Sequence, residues 1–322
     1  MGDLTMAVPA SWDDYWRLTP EAAAHRGGAP QDELLRRFWS DVFAAARVEG
    51  RRRVLDVACG NGAVFESASE AGGDRGSVGF QLCGLDSSPA ALHGLALRCP
   101  WVHAVGGDAA RMPFADRSFD LVTSQFGLEY AGPEAVDEAA RILASNGRVV
   151  AVAHMKDGGL FRENVANREA MGVVVDSALL PRLKDLYQAH VAMFRGTGSR
   201  PAFRRAEAAL AEACGEVGRA LARLGPAVAG GSVARLQQDV VYMGRRIDSH
   251  DPAEVARWAG LCAREAESYL GRMDSMLAAS IDESGVERLT KRAESRGLIL
   301  RSRDRLVMGA LAEAAAWALV FE

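Results

Sequence analysis

The sequence is short of what a disulfide scaffold, a secreted protein or a membrane span requires. Its five cysteines, Cys59, Cys83, Cys99, Cys214 and Cys262, are odd in number, scattered and never spaced as CxxC or CxxxC. That excludes a disulfide framework and a cysteine-rich zinc site. The histidines share no ligand spacing either, so no metal is expected. No run approaches the roughly 18 apolar residues of a spanning helix, so membrane insertion is not expected. The N-terminus has Asp3 and no basic stretch, unlike a secretory signal. Met6 stands where a myristoylation motif needs Ser or Thr. The expected compartment is the cytoplasm. An excess of positive charge is also missing: 38 Lys+Arg face 42 Asp+Glu, a net charge of -4. This disfavours a nucleic-acid binder, which usually carries a basic stripe. The run Arg51-Arg52-Arg53 reads as a solvated edge before a strand.

What is present is ordinary for a globular chain. The 322 residues are 49% hydrophobic and 25% charged, which rules out global disorder. The length suits about two domains, or one domain with a large insertion.

An aromatic-rich N-terminal stretch containing Tyr15 and Trp16 is broken at Gly27-Gly28 and Pro30. Leu35, Phe38, Trp39, Val42 and Phe43 then give a helix one apolar face. From Arg53 the pattern changes. Five short apolar runs end at Ala58, Asp86, Asp108, Ser124 and His154, separated by helix-length segments. They predict strands of a parallel sheet buried on both faces. Ser88-Pro89 and Gly132-Pro133-Glu134 each start a helix. After about residue 158 the strands stop for more than 100 residues. Asp251-Pro252-Ala253-Glu254 starts a helix there, and Ala206, Leu210, Ala213, Val217, Leu221 and Leu224 share a helical face. Strand-like runs return at Leu298 to Val307 and Trp317 to Phe321, after a helix at Glu287 to Ser295. The expected fold class is α/β: a Rossmann-like, doubly wound, mostly parallel seven-stranded sheet with a large all-helical insertion before the last two strands. The expected divisions are a helical cap (1–50), a nucleotide-type core (51–157), the insertion (158–280) and a segment completing the core (281–322).

Asp56-Val57-Ala58-Cys59-Gly60-Asn61-Gly62 sits where a first strand meets a helix. Glycines there admit a ligand close to the backbone, and the helix N-terminus favours an anionic group. Asp86 ends the second strand, where an acid can accept from both hydroxyls of a ribose. Gly107-Asp108 follows the third, where an acid and a backbone N–H can read an adenine edge. Three acids at successive strand ends converge on the crevice where open α/β sheets bind ligands.

VLDVACGNG, GLDSSPAAL, GDAARMPFADRSFDLV and GRVVAVAH resemble the successive signatures of class I S-adenosylmethionine-dependent methyltransferases. The small-molecule group that includes the ubiquinone and menaquinone methyltransferases is the most similar, and the run Arg111 to Asp120 is specific to it. The resemblance covers roughly residues 40 to 156. Departures are Ala58, where the family often has Gly, and Glu129, where small-molecule relatives often carry His. The resemblance implies S-adenosylmethionine as cofactor. Asp56, Ala58, Gly60 and Gly62 would then shape its methionine pocket, and Asp86 would bind the ribose diol with Ser87 beside it. Asp108 and Ala109 would hold adenine, Gln125 would offer backbone near the methionyl amine, and Phe126 would flank the sulfonium.

It further implies transfer of a methyl group to a small-molecule acceptor, with no nucleic-acid partner; the oligomeric state stays open. Glu129 and His154 are the candidate bases by location. Glu129 also reads as a helix-start acid and His154 as a polar strand end. Tyr15 and Trp16 would cover the cofactor or anchor the N-terminal segment. Cys59 reads as a small buried apolar residue. The insertion is expected to cover the acceptor pocket, although Met171, Val173, Val174, Leu179 and Leu180 suit a helical core equally. Two rivals stay in view. A nicotinamide oxidoreductase needs a third glycine where Phe65 stands. A catalytically silent scaffold of the same fold would not need to keep Asp86 and Asp108.

Overall fold

The computed structural model describes residues 10–18, 29–70, 79–308 and 313–322. The extreme N-terminus with Asp3 and Met6, His25 and the Gly27-Gly28 break lie outside them. The chain divides into two compact units, Met1–Arg162 with Ser275–Glu322, and Glu163–Asp274.

The first unit is a layered α/β structure. Helices α1 (Ala10–Leu18) and α2 (Ala29–Val48) precede β1 (Arg53–Val57), α3 (Ala63–Glu70), β2 (Gln81–Asp86), α4 (Pro89–Arg98) and β3 (His103–Gly106). Then come β4 (Phe119–Gln125), α5 (Pro133–Ile142) and β5 (Leu143–His154). After the second unit the chain adds α11 (Glu283–Ser295), β6 (Leu300–Val307) and β7 (Ala314–Phe321). The seven strands are ordered β3-β2-β1-β4-β5-β7-β6. β1 to β5 pair in parallel, and β7 runs antiparallel to both β5 and β6. The sheet is therefore mixed.

Alternation along the strands sends neighbours to opposite faces. Val54 packs with Trp39, Phe43 and Phe65 of α2 and α3, whereas Leu55 packs with Val136, Ile142 and Val286 of α5 and α11. Burial on both faces explains why β1, β2 and β4 read as continuous apolar runs. β3 departs from that expectation: it is an edge strand paired only with β2, and His103 and Gly106 are exposed. β5 begins at Leu143, five residues ahead of its apolar run, because Leu143 pairs with Phe119 before a register shift joins Arg148 to Leu121.

The helix starts follow side-chain chemistry. Ser88 caps α4, its hydroxyl accepting from Ala91 N–H at 3.1 Å, and Pro89 opens the helix where no intrahelical donor is needed.

The second unit is helical. α6 (Gly159–Asp176) leads into it, followed by α7 (Leu179–Phe194), α8 (Arg200–Leu224), α9 (Ser232–Arg245) and α10 (Pro252–Ala279), which leads out. Its core gathers Met171, Val174, Leu179, Leu180, Leu210, Ala213 and Val217, with Val173 at its margin. These apolar residues are thus spent on helix packing. Among the described residues no helix is long and apolar enough to cross a membrane.

Candidate functional site

The C-terminal ends of β1, β2 and β4 carry the predicted loop and acids. Asp56 is buried in β1; its Oδ1 accepts from Thr123 Oγ1 of β4 at 2.8 Å, and its Oδ2 has no partner. Burial, with the Asp86 charge as a lesser contribution, pushes the Asp56 carboxyl up to about 8. The strand then turns sharply: Ala58 has φ +55°, Gly60 +53° and Gly62 +97°. Gly60 N–H donates to Asp86 Oδ2 and Ser88 N–H to Asp86 Oδ1, both at 2.8 Å. These bonds tie the loop after β1 to the end of β2. Burial raises the Asp86 carboxyl, and the backbone donors offset part of that.

Helix α1 covers this loop. Trp16 packs so closely on Gly60 that a Cβ there would lie 2.6 Å from an indole carbon. Asp13 Oδ1 accepts from Ser88 Oγ at 2.7 Å and from Ala90 N–H at 3.1 Å, binding α1 to the start of α4. These bonds hold the Asp13 carboxyl below its ordinary range. Tyr15 and Trp16 are both buried, so they anchor the segment as well as cover the loop. Asp13 was invisible to motif reading, since one acid in an aromatic-rich helix announces no partner.

Asp108 lies two residues past β3 and is exposed; its carboxylate accepts Ala110 N–H at 2.9 Å. Ser87 is exposed beside Asp86, and Ala109 packs partly against the second core cluster. The loop beyond is held by Arg141 of α5, which donates to the carbonyls of Met112 and Phe114 and to the carboxylates of Asp116 and Glu138.

At the end of β4, Gln125 Oε1 accepts Trp39 Nε1–H at 2.6 Å. Phe126 has φ +54°, and its ring centroid lies 4.3 Å from that of His154. The next residue must be glycine, because a Cβ on Gly127 would lie 2.4 Å from Ala58 Cβ. Two non-glycine residues in the left-handed region, Ala58 and Phe126, are therefore held at adjoining strand ends, a form of strain that gathers at functional sites.

Glu129 sits in a one-turn 3-10 helix, Leu128–Ala131, and its side chain is buried. Its Oε1 accepts the His154 backbone N–H at 3.0 Å and lies 2.8 Å from His154 Nδ1. Glu129 Oε1, already accepting one N–H, is placed to accept a second from Nδ1. Glu129 Oε2 and the Tyr130 hydroxyl are buried without partners among the described residues. Burial, and secondarily the Glu129 charge, raises the Tyr130 phenol well above its usual range.

The predicted residues thus fall into two groups. Asp56, Ala58, Gly60, Gly62 and Asp86 form one contiguous loop-and-strand cluster, with Gln125 and Phe126 at the neighbouring strand end. Glu129 and His154 form a hydrogen-bonded pair. Asp108 and Ala109 stand farther along the same sheet edge. Cys59 is buried, and burial pushes its thiol well up, as suits an inert packing residue. Thr123, Trp39, Asp13 and Arg141 join the site without a sequence motif.

The methyltransferase-domain family model matches residues 55–151. The demethylmenaquinone methyltransferase of Renibacterium salmoninarum is 38% identical over 34% of this chain and 44% of that protein. The 2-phytyl-1,4-naphtoquinone methyltransferase of a Synechocystis species is 31% identical over 42% of this chain and 58% of that protein. Residues 55–151 thus match a methyltransferase domain, and the relatives that share this stretch are quinone-type methyltransferases. The matches span about half the length of these curated relatives, and the family model ends at residue 151, before the helical unit begins. A solved structure, the S-adenosylmethionine-bound amino pentose methyltransferase from Micromonospora echinaspora, is 29% identical over 39% of this chain and 51% of that chain, with a TM-score of 0.32.

The residues present fit the cofactor. Asp86 offers two carboxylate oxygens, held by backbone N–H groups that include those of Gly60 and Ser88, as acceptors for a diol. Asp56 Oδ2 is a buried polar atom without a hydrogen-bond partner among the described residues. Gly60 leaves a cradle that a Cβ would fill, now lined by the Trp16 indole.

Proposed function

We propose that the protein transfers a methyl group from S-adenosylmethionine to a protonated O or N nucleophile, or to a carbon activated by such a group, on a small-molecule acceptor. The observation that carries this reading is the Glu129–His154 pair beside Phe126, at the same sheet edge as the Asp86-bound glycine loop.

The cofactor supplies an electrophilic sulfonium methyl group. The loop from Asp56 to Gly62, with Asp86 and Ser87, would hold its amino-acid and ribose parts; Asp108 and Ala109 would hold the adenine, and Gln125 and Phe126 would border the sulfonium. Glu129 holds His154 in the tautomer with a lone pair on Nε2. His154 takes a proton from the acceptor there, and Phe126 and the buried Tyr130 keep water from the imidazole. Attack in line with the departing sulfur then depends on alignment, which supplies roughly 7–11 kcal/mol in favourable cases. The names of the matched relatives favour an aromatic, lipophilic acceptor.

Calorimetry with S-adenosylmethionine and S-adenosylhomocysteine tests the cofactor half. One-to-one binding, lost or much weakened in Asp86→Ala, supports the reading. A folded protein that binds neither ligand returns it to a silent scaffold. With binding in hand, turnover of hydroquinone and phenol acceptors tests the other half, and binding without turnover on any acceptor class counts against His154 as a base.

A further inference from the structure

The turn between α7 and α8 has an unusual balance of charge. The chain holds 42 acids in 322 residues, yet none falls among the 21 between Asp185 and Glu207. Arg195, Arg200, Arg204 and Arg205 do fall there, and all four are exposed. None is paired with an acid among the described residues, whereas Arg182 and Arg223 of the same two helices are paired with Glu212 and Glu169. Asp248, the acid that meets this end of α7, is already engaged with His190 at 3.1 Å. Three of the arginines lie in the first two turns of α8, where cations oppose the helix dipole and acids are the stabilising choice. Stability of the helix does not account for them.

Phe194 stands at the same turn, 89% exposed. The chain around it projects: Gly196 has φ +70° and nothing within 4 Å of where a Cβ would sit. An exposed aromatic ring and four arginines with no acid partner among the described residues, at one turn, match a surface that is apolar and anionic at once.

We propose that this turn docks the protein on the surface of an anionic lipid bilayer, with Phe194 in the headgroup–acyl boundary and the four arginines on lipid phosphates. The docking is adsorption, not a span. A bilayer answers both features at once, because it offers apolar depth beneath a layer of negative charge. A nucleic-acid duplex offers the charge and leaves the ring in water. The inference uses the helical unit alone and does not depend on methyl transfer.

Sedimentation of the full chain with phosphatidylcholine vesicles, with and without phosphatidylglycerol, tests it. Binding is expected only with phosphatidylglycerol, falling as salt screens the surface. Each arginine near such a surface contributes roughly fivefold in partitioning, so replacing all four by Gln is expected to cost at least about 100-fold. Replacing all four by Lys restores most of the binding. Phe194→Ser removes the part that survives high salt. Far-UV circular dichroism melts matching the parent confirm that the variants fold. The proposal is overturned by absent binding to anionic vesicles, or by equal partitioning of the Gln variant. It is also overturned if an oligonucleotide binds more tightly than the vesicles and is lost in the same variant.

Discussion

Glu129 Oε1 lies 2.8 Å from Nδ1 of His154, and the same oxygen accepts the backbone N–H of that histidine at 3.0 Å. One carboxylate thus fixes both the ring and the strand end that carries it. The return of the chain reinforces the position, since Ile281 N–H donates to the His154 carbonyl at 2.9 Å. No described residue hydrogen-bonds Nε2 of His154, so the ring is oriented on one side and available on the other.

If His154 is the base, His154→Ala lowers kcat by about 100-fold or more and leaves cofactor affinity within about twofold. Glu129→Gln lowers it less, by about 10-fold, since the ring remains but its tautomer is no longer enforced. Single-turnover rates, with calorimetry on both variants, check this. Equal kcat in parent and His154→Ala on a protonated acceptor would remove the imidazole from the reaction.

Gly60 is expected to tolerate no side chain. Gly60→Ala forces a Cβ into the left-handed region, at about 1–2 kcal/mol, and brings it 2.6 Å from the Trp16 indole. Urea unfolding of Gly60→Ala, Trp16→Ala and the double variant separates the two effects. The double variant should recover at least about 0.5 kcal/mol relative to additivity, because the collision partner has gone. Strict additivity would mean that the two residues do not meet.

The sheet and the loop were legible because their physics is local. β1, β2, β4 and β5 are short apolar runs separated by helix-length segments, and Ser88-Pro89 announces a helix by capping chemistry alone. The pairing of Glu129 with His154 was not legible. The two are 25 residues apart, and their contact follows from the register of β4 on β5. Each residue alone had an ordinary alternative, and only the contact decides between them. Edge strand β3 was read as buried because Val102, just before it, and Val105 within it resemble a core run. Sheet order, which one sequence does not display, sets its exposure. The contacts of Asp13 and Trp16 were hidden for the same reason, as their partners Ser88 and Gly60 lie in other elements.

Asp56 gives a pH signature in stability. Burial holds its folded carboxyl up at about 8, against an unfolded value near that of a free aspartate. A raised carboxyl favours the folded state most where the unfolded chain is also protonated. That advantage is complete below about pH 4 and declines as pH rises, until the folded group ionises near 8. The slope attributable to this residue is at most about 1.4 kcal/mol per pH unit. Asp56→Asn should flatten the decline between pH 5 and 8 in urea melts, about one half to the whole of that slope. An unchanged slope would show Asp56 ionised in the folded protein throughout.

Arg141 is expected to order the loop that bears Asp108 and Ala109. Its guanidinium donates to Phe114 O and Asp116 Oδ1 at 2.8 Å, to Met112 O at 3.1 Å and to both oxygens of Glu138. Glu138 Oε2 in turn accepts Met112 N–H at 2.7 Å. The hydrogen bond from Arg141 holds the Glu138 carboxyl below its usual range. A lysine ammonium has three donors and no planar fork, so Arg141→Lys cannot serve the same set. Both Arg141→Lys and Arg141→Ala should cost stability, the alanine by about 2 kcal/mol given partial exposure. Hydrogen exchange at the amides of Met112 and Arg117 reads the loop itself. Faster exchange there, with exchange in β1 unchanged, is the expected result. Protection retained in Arg141→Ala would assign the loop's order to buried Met112 and to Phe114 stacked edge-on against Phe119, with the arginine a bystander.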